Sequence, residues 1–128
     1  MASNTLEIDA QRLWDSLERS AEIGRFRDTG LRRLALSDED RRMRDLFVGW
    51  AREAGCTVEI DRLGNIFARR AGSDPDLPPV AIGSHLDTQI CGGRYDGILG
   101  VLCGLEVVRT LNDRGLATFA GLNGNFRQ

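Results

Sequence analysis

One stretch limits the fold more than any other. Pro79-Val80-Ala81-Ile82-Gly83 is a short apolar run, the pattern of a strand covered on both faces. A glycine-rich loop spans 84–97. From about Gly97 to Arg114, Leu99, Leu102, Leu105, Val108 and Leu111 recur at helical spacing, and Gly115 is the stop. Strand, loop and helix in that order form the unit of an α/β fold.

The upstream sequence supplies the neighbours this unit needs. A first helix is expected from about Asp9 to Ser20, with Leu13, Leu17 and Ala21 on one face, Trp14 beside them and Asp9 as N-cap. A polar, Arg-rich connection follows from Gly24 to Arg33. Ser37 then begins a second helix. Asp38, Glu39 and Asp40 sit at the positive end of its dipole, Met43, Phe47, Trp50, Ala51 and Ala54 form the apolar stripe, and Gly55 ends it. Beyond Gly55 the period drops to two: Val58 and Ile60 alternate with polar residues, Leu63-Gly64-Asn65 has turn chemistry, and Ile66-Phe67-Ala68 completes a hairpin. A Pro/Gly/Asp loop covers 71–78. Two helices, a β-hairpin and a strand–loop–helix unit predict an α/β fold with a mixed sheet.

Composition excludes several functions. The chain has 128 residues, 41% of them hydrophobic, enough for about one domain and one core. All 17 basic residues are Arg against 19 Asp plus Glu, a net charge of -2, which argues against a nucleic-acid partner. Charged residues at 28% argue against a membrane protein, and the most apolar window, Ile98–Val108, is interrupted by Glu106. The N-terminus MASNTLEIDA has no secretory pattern. Cys56, Cys91 and Cys103 form no C-x-x-C pair and fit a reducing cytoplasm.

Chemistry concentrates in the loop. His85 and Asp87 lie two apart, so on an extended segment their side chains share a face. They read as metal co-ligands, or as a ligand and its orienter. Asp96 closes the loop, and Gly92, Gly93 and Gly97 allow the backbone to bring it back towards His85. The plainer alternatives are a hydrogen-bonded strand-end histidine and an Asp96 that only caps the third helix. A phosphate loop is disfavoured, since neither G-x-G-x-x-G nor a Lys-containing P-loop is present.

GSHLDTQICGGRYDGILGVLCGLEVVRTLNDRG resembles the metal-binding segment of the hydantoinase/carbamoylase family amidases. That family includes N-carbamoyl-L-amino-acid hydrolases, bacterial-type β-ureidopropionases and allantoate amidohydrolases, within a zinc-dependent superfamily shared with the aminoacylases and carboxypeptidase G. The upstream segments RLWDSLERSAEIG, RLALSDEDRRMRDLFVGWAREAGCTVEIDRLGNIFARR and DPDLPPVAIGSHLDT are also similar, so the resemblance spans roughly 11–115. It implies the N-terminal part of a catalytic α/β domain that hydrolyses linear C–N bonds of small ureido acids, using two divalent ions: zinc, or manganese or cobalt. His85 would be a terminal ligand, Asp96 a bridging ligand, and Asp87 the catalytic residue that holds His85 in its ligating tautomer. The peptide after Asp96 would be cis. An amino- or dipeptidase of the same superfamily is the alternative enzyme, and a non-catalytic or weakly metal-binding fragment the alternative to an enzyme.

The family pattern continues with a Glu-Glu pair, two further His ligands and a lid domain used for dimerisation. None is visible after Asp113, and His85 is the one histidine. The expectations are a divergent, irregular tail over 116–128, from truncation or a frameshift, and a chain that binds at most one metal weakly and does not turn over substrate. Other loop residues have plain readings. Tyr95 packs the loop down, Arg94 lies near substrate, and Cys91 is incidental. Cys103, Trp14 and Trp50 belong to helix packing, and Arg41, Arg42 and Arg44 form a solvated face.

Overall fold

The computed structural model describes residues 5–127 of the chain. Helix α1 (Ala10–Ala21) begins where an Asp9 carboxylate oxygen accepts from the Arg12 amide at 2.9 Å. Helix α2 (Asp38–Glu53) begins at Ser37, whose hydroxyl accepts from the Asp40 amide at 3.1 Å. The buried Asp40 carboxylate in turn accepts from the Leu36 amide at 3.0 Å, so an acid expected only to face the dipole also closes the cap. Helix α3 (Ile98–Asp113) buries Ile98, Val101, Leu102, Leu105, Val108 and Leu111, while Leu99 faces outwards. No helix among the described residues is long and apolar enough to cross a membrane.

Two sheets link these helices. The short strands β1 (Arg25–Phe26), β2 (Gly30–Leu31) and β6 (Gly92–Gly93) pair antiparallel in the order β1-β2-β6. The main sheet contains the predicted hairpin, β3 (Thr57–Ile60) and β4 (Ile66–Arg70), the predicted strand β5 (Val80–His85), and an unpredicted strand β7 (Leu122–Arg127). Its order is β3-β4-β7-β5, with β5 and β7 parallel and the other pairs antiparallel. The predicted mixed sheet is therefore present.

Two expectations are corrected. The tail is irregular only as far as Gly121; from Leu122 it forms an inner strand, with Gly124 opposite Ala68 on one side and Ile82 on the other. Arg70 holds the approach, its Nε donating to Asn112 Oδ1 at 2.9 Å and its Nη2 to the Leu116 carbonyl at 2.5 Å. Strand β5 is also not covered on both faces. Helix α3 lies against one face, Val80 is 56% exposed, and Ala81 and Gly83 are exposed as well. On the covered face the approach is close: a Cβ added at Gly100 would lie 2.9 Å from Ser84 Cβ, and one at Gly104 3.1 Å from Ile82 Cγ2.

The core joins α1, α2, α3 and the sheet through Leu17, Met43, Phe47, Ile66, Val101 and Leu102. A buried carboxylate also fastens α1 to α3. Glu106, 1% exposed, accepts from Arg12 Nε and Nη2, from the Asp9 amide and from the Thr110 hydroxyl. This pairing holds the Arg12 guanidinium above its usual range. Trp14 and Arg44 depart from expectation. Trp14 is 47% exposed and faces Tyr95, with centroids 6.1 Å apart. Arg41 and Arg42 are solvated, but Arg44 donates to the Gly64 carbonyl of the hairpin turn. Cys103 is only partly buried.

Two outcomes are expected from this arrangement. Hydrogen exchange will show protected amides at Asn123–Phe126 and rapid exchange at Ala117–Ala120. In urea unfolding, Glu106→Ala will cost about 3 kcal/mol, because it takes the buried acceptor from the Asp9 amide and the Thr110 hydroxyl and leaves Arg12 only the exposed Asp113 carboxylate, and Glu106→Leu combined with Arg12→Met will recover part of that loss.

Candidate functional site

The chemistry-bearing loop leaves the carboxyl end of β5 and returns at the N-terminus of α3, the position at which α/β folds collect ligands. His85 is the last residue of β5. Its Nδ1 lies 2.9 Å from the Asp87 carbonyl oxygen and 3.4 Å from Asp87 Oδ1. A carbonyl only accepts, so Nδ1 carries the hydrogen and donates it. In the neutral ring this leaves the lone pair on Nε2. Asp87 therefore meets His85 first through its backbone, and less closely through the carboxylate that the sequence pointed to.

The other side of the ring rests on backbone. A Cβ built on Gly97 would fall 2.3–2.6 Å from three atoms of the His85 imidazole. Gly97 has φ 77° and ψ -55°, a conformation closed to other residues, and is the N-cap of α3 without a side-chain cap bond. Asp96, the residue before it, is exposed and does not cap the helix. The loop thus brings His85 against the residue next to Asp96. No peptide among the described residues is cis, so the expected cis bond after Asp96 is absent; the sharp φ/ψ of Gly97 makes the turn instead.

No group of three or more His, Cys, Asp or Glu side chains is arranged to hold a metal among the described residues. Cys91 and Tyr95 are exposed, and Arg94 reaches towards Glu18, Nη1 to Oε1 3.8 Å. The donors present are one imidazole nitrogen and carboxylates, the ligand types that suit zinc, manganese or cobalt. In kind they fit part of such a site.

The sequence reading missed what holds the loop. The connection Gly24–Arg33, expected only as a polar, Arg-rich link, is clamped against it. Strand β2 pairs with β6 through Leu31 and Gly92, and Arg32 Nε donates to the Ile90 carbonyl at 3.2 Å. Arg33 is fully buried. Its Nε donates to the Leu86 carbonyl at 2.8 Å, and its Nη1 to the carbonyls of Ser20 at 3.0 Å and Ile23 at 2.8 Å. Burial pushes this guanidinium down to about 10, against the opposing pull of Asp40 and Asp87. The available signal was weak: one Arg of a pair beside an apolar Leu31.

No protein-family model matches the chain. An N-carbamoyl-L-amino-acid amidohydrolase of Rhizobium meliloti is 52% identical over 111 residues, 87% of this chain and 27% of that protein. A ureidoglycolate hydrolase of Arabidopsis thaliana is 33% identical over 113 residues, 88% of this chain and 24% of its own length. The crystal structure of a hydantoinase/carbamoylase family amidase from Burkholderia ambifaria superposes with a TM-score of 0.94 at 58% identity, over 96% of this chain and 30% of that one. The class of these relatives is that of hydrolases acting on carbon–nitrogen bonds. Over this span the chain belongs to the hydantoinase/carbamoylase family amidases and corresponds to their N-terminal part. It spans only about a quarter to a third of the length of the proteins it matches.

Gly97→Ala is expected to destabilise the fold by at least about 1 kcal/mol and to displace the His85 ring. Urea unfolding and the histidine ring proton shifts check both effects.

Proposed function

We propose that this chain carries the first part of a metal-dependent site that hydrolyses the linear C–N bond of an N-carbamoyl amino acid or related ureido acid. The observation that supports it is the His85 bond to the Asp87 carbonyl, which frees Nε2 beside the turn that bears Asp96. His85 binds through that lone pair and Asp96 through its carboxylate. Asp87 fixes the ring's tautomer and keeps its own carboxylate 3.4 Å from Nδ1, where it stabilises positive charge drawn onto the imidazole. Divalent ions, when bound, supply Lewis acidity towards the substrate carbonyl and a water acidified towards neutral pH. The names of the relatives, a carbamoyl-amino-acid hydrolase and a ureidoglycolate hydrolase, support a small ureido acid as substrate.

Two ligands make a weak site, since stable zinc sites take three or four. The 128-residue chain by itself is therefore expected to bind zinc, manganese or cobalt weakly and to show no turnover of N-carbamoyl amino acids. A chimera joining this chain to the remaining part of the Rhizobium relative will be active. In the chimera His85→Ala and Asp96→Ala will abolish turnover, and Asp87→Asn will lower it about 10- to 100-fold. Full activity in a folded His85→Ala chimera refutes the assignment. Metal-dependent turnover by the chain alone, lost in both alanine variants, refutes the division of the site.

A further inference from the structure

Arg33 is the largest fully buried side chain of the described residues, at 0% exposure, and lies just past the end of β2. Its bonds fall on both sides of Asp87. The guanidinium Nε holds the Leu86 carbonyl at 2.8 Å. The Arg33 amide donates to Thr88 Oγ1 at 2.8 Å, and the Arg33 carbonyl accepts from the Thr88 amide at 2.7 Å. Nη1 anchors the assembly to the carbonyls of Ser20 and Ile23, where α1 ends. Nη2 is buried without a hydrogen-bond partner. A cation without a directly paired carboxylate is an unfavourable way to join two loops, because desolvating it costs more than the neutral hydrogen bonds return. What Arg33 achieves in exchange is geometric. A planar fork sets the backbone immediately before Asp87, its own main chain sets the backbone immediately after, and only Asp87 between them is left to turn its carbonyl onto His85.

We propose that Arg33 is a positioning residue for the ligand loop: by fixing Leu86 and Thr88 it aims the Asp87 carbonyl at His85 Nδ1 and so selects the tautomer whose Nε2 lone pair is free. The inference rests on the reading of His85 as a metal ligand, and it extends that reading to a residue that touches neither metal nor substrate.

The test uses the whole chain, whose single histidine gives one unambiguous set of ring signals. Long-range proton–nitrogen correlation at pH 8, above the ordinary imidazole range of about 6.5, reads the tautomer without any metal. The native chain is expected to show the Nδ1-protonated ring. Arg33→Met will give a tautomer mixture, and Arg33→Lys, which keeps the charge but not the fork, an intermediate one. Thr88→Val keeps the side-chain volume and removes only the hydroxyl that accepts from Arg33; it will shift the same ratio with less effect on folding. Cobalt titration, followed by the metal's visible absorption, will show affinity falling about tenfold in Arg33→Met.

An unchanged tautomer in a folded Arg33→Met chain overturns the proposal. If that variant does not fold, an unchanged tautomer in Thr88→Val overturns it. A native ring protonated on Nε2 overturns it as well. A native chain that has the expected tautomer and loses it in the variants supports the positioning role even where cobalt binding by the two-ligand chain is too weak to follow; full activity in a folded His85→Ala chimera is the separate result that refutes His85 as a ligand.

Discussion

The predicted hairpin and the strand that ends in His85 share no backbone hydrogen bonds; β7 lies between them and bonds to both. The core around Ile66 and Ala68, and the strand from which the candidate site projects, are therefore one sheet only because a segment more than thirty residues downstream of β5 comes back to join them. Its sequence, Leu122-Asn-Gly-Asn-Phe126, does alternate, but with Gly124 at its centre and an Asn-Gly pair that reads as a turn. The register explains the choice. Gly124 sits level with Ala68 and Ile82, where its lack of a side chain leaves room beneath α3. Strand propensity is overridden by the pairing available on both sides.

The elements legible in the sequence were those specified locally. Asp9 and Ser37 cap their helices by bonds within three residues, and the stripe of α3 and the alternation of Val58 and Ile60 repeat within a few residues. The elements missed depend on partners far along the chain. The two-residue strands β1, β2 and β6 exist only because 25–31 and 92–93 meet, and Arg33 is buried by groups from α1 and from the loop after β5. A buried arginine and a solvated one have the same sequence signature. The one-sided cover of β5 is of the same kind, since an apolar run states what a strand tolerates and not what packs against it.

Within the site, the spacing of His85 and Asp87 was enough to bring them together. It did not reveal that the closer contact is to a carbonyl, because side-chain periodicity carries no information about where the backbone turns. Likewise the glycines of the loop signalled a sharp turn, but the cis peptide that the resemblance implied after Asp96 is not there: the bond is trans and Gly97 makes the turn with a positive φ.

Gly100 and Gly104 stand one helical turn apart on α3, each against β5. With no side chains there, the separation of helix and strand is set by backbone thickness, the least adjustable length in a protein. The loop that carries Asp96 hangs from the near end of that helix, and His85 from the near end of that strand. Helix and strand thus act as the two jaws of a calliper whose hinge is closed metal to metal, and every added methyl group at the hinge is read out, magnified, at the tips. Drift in sequence on the outer face of α3 leaves such an instrument in calibration; drift at two glycines does not.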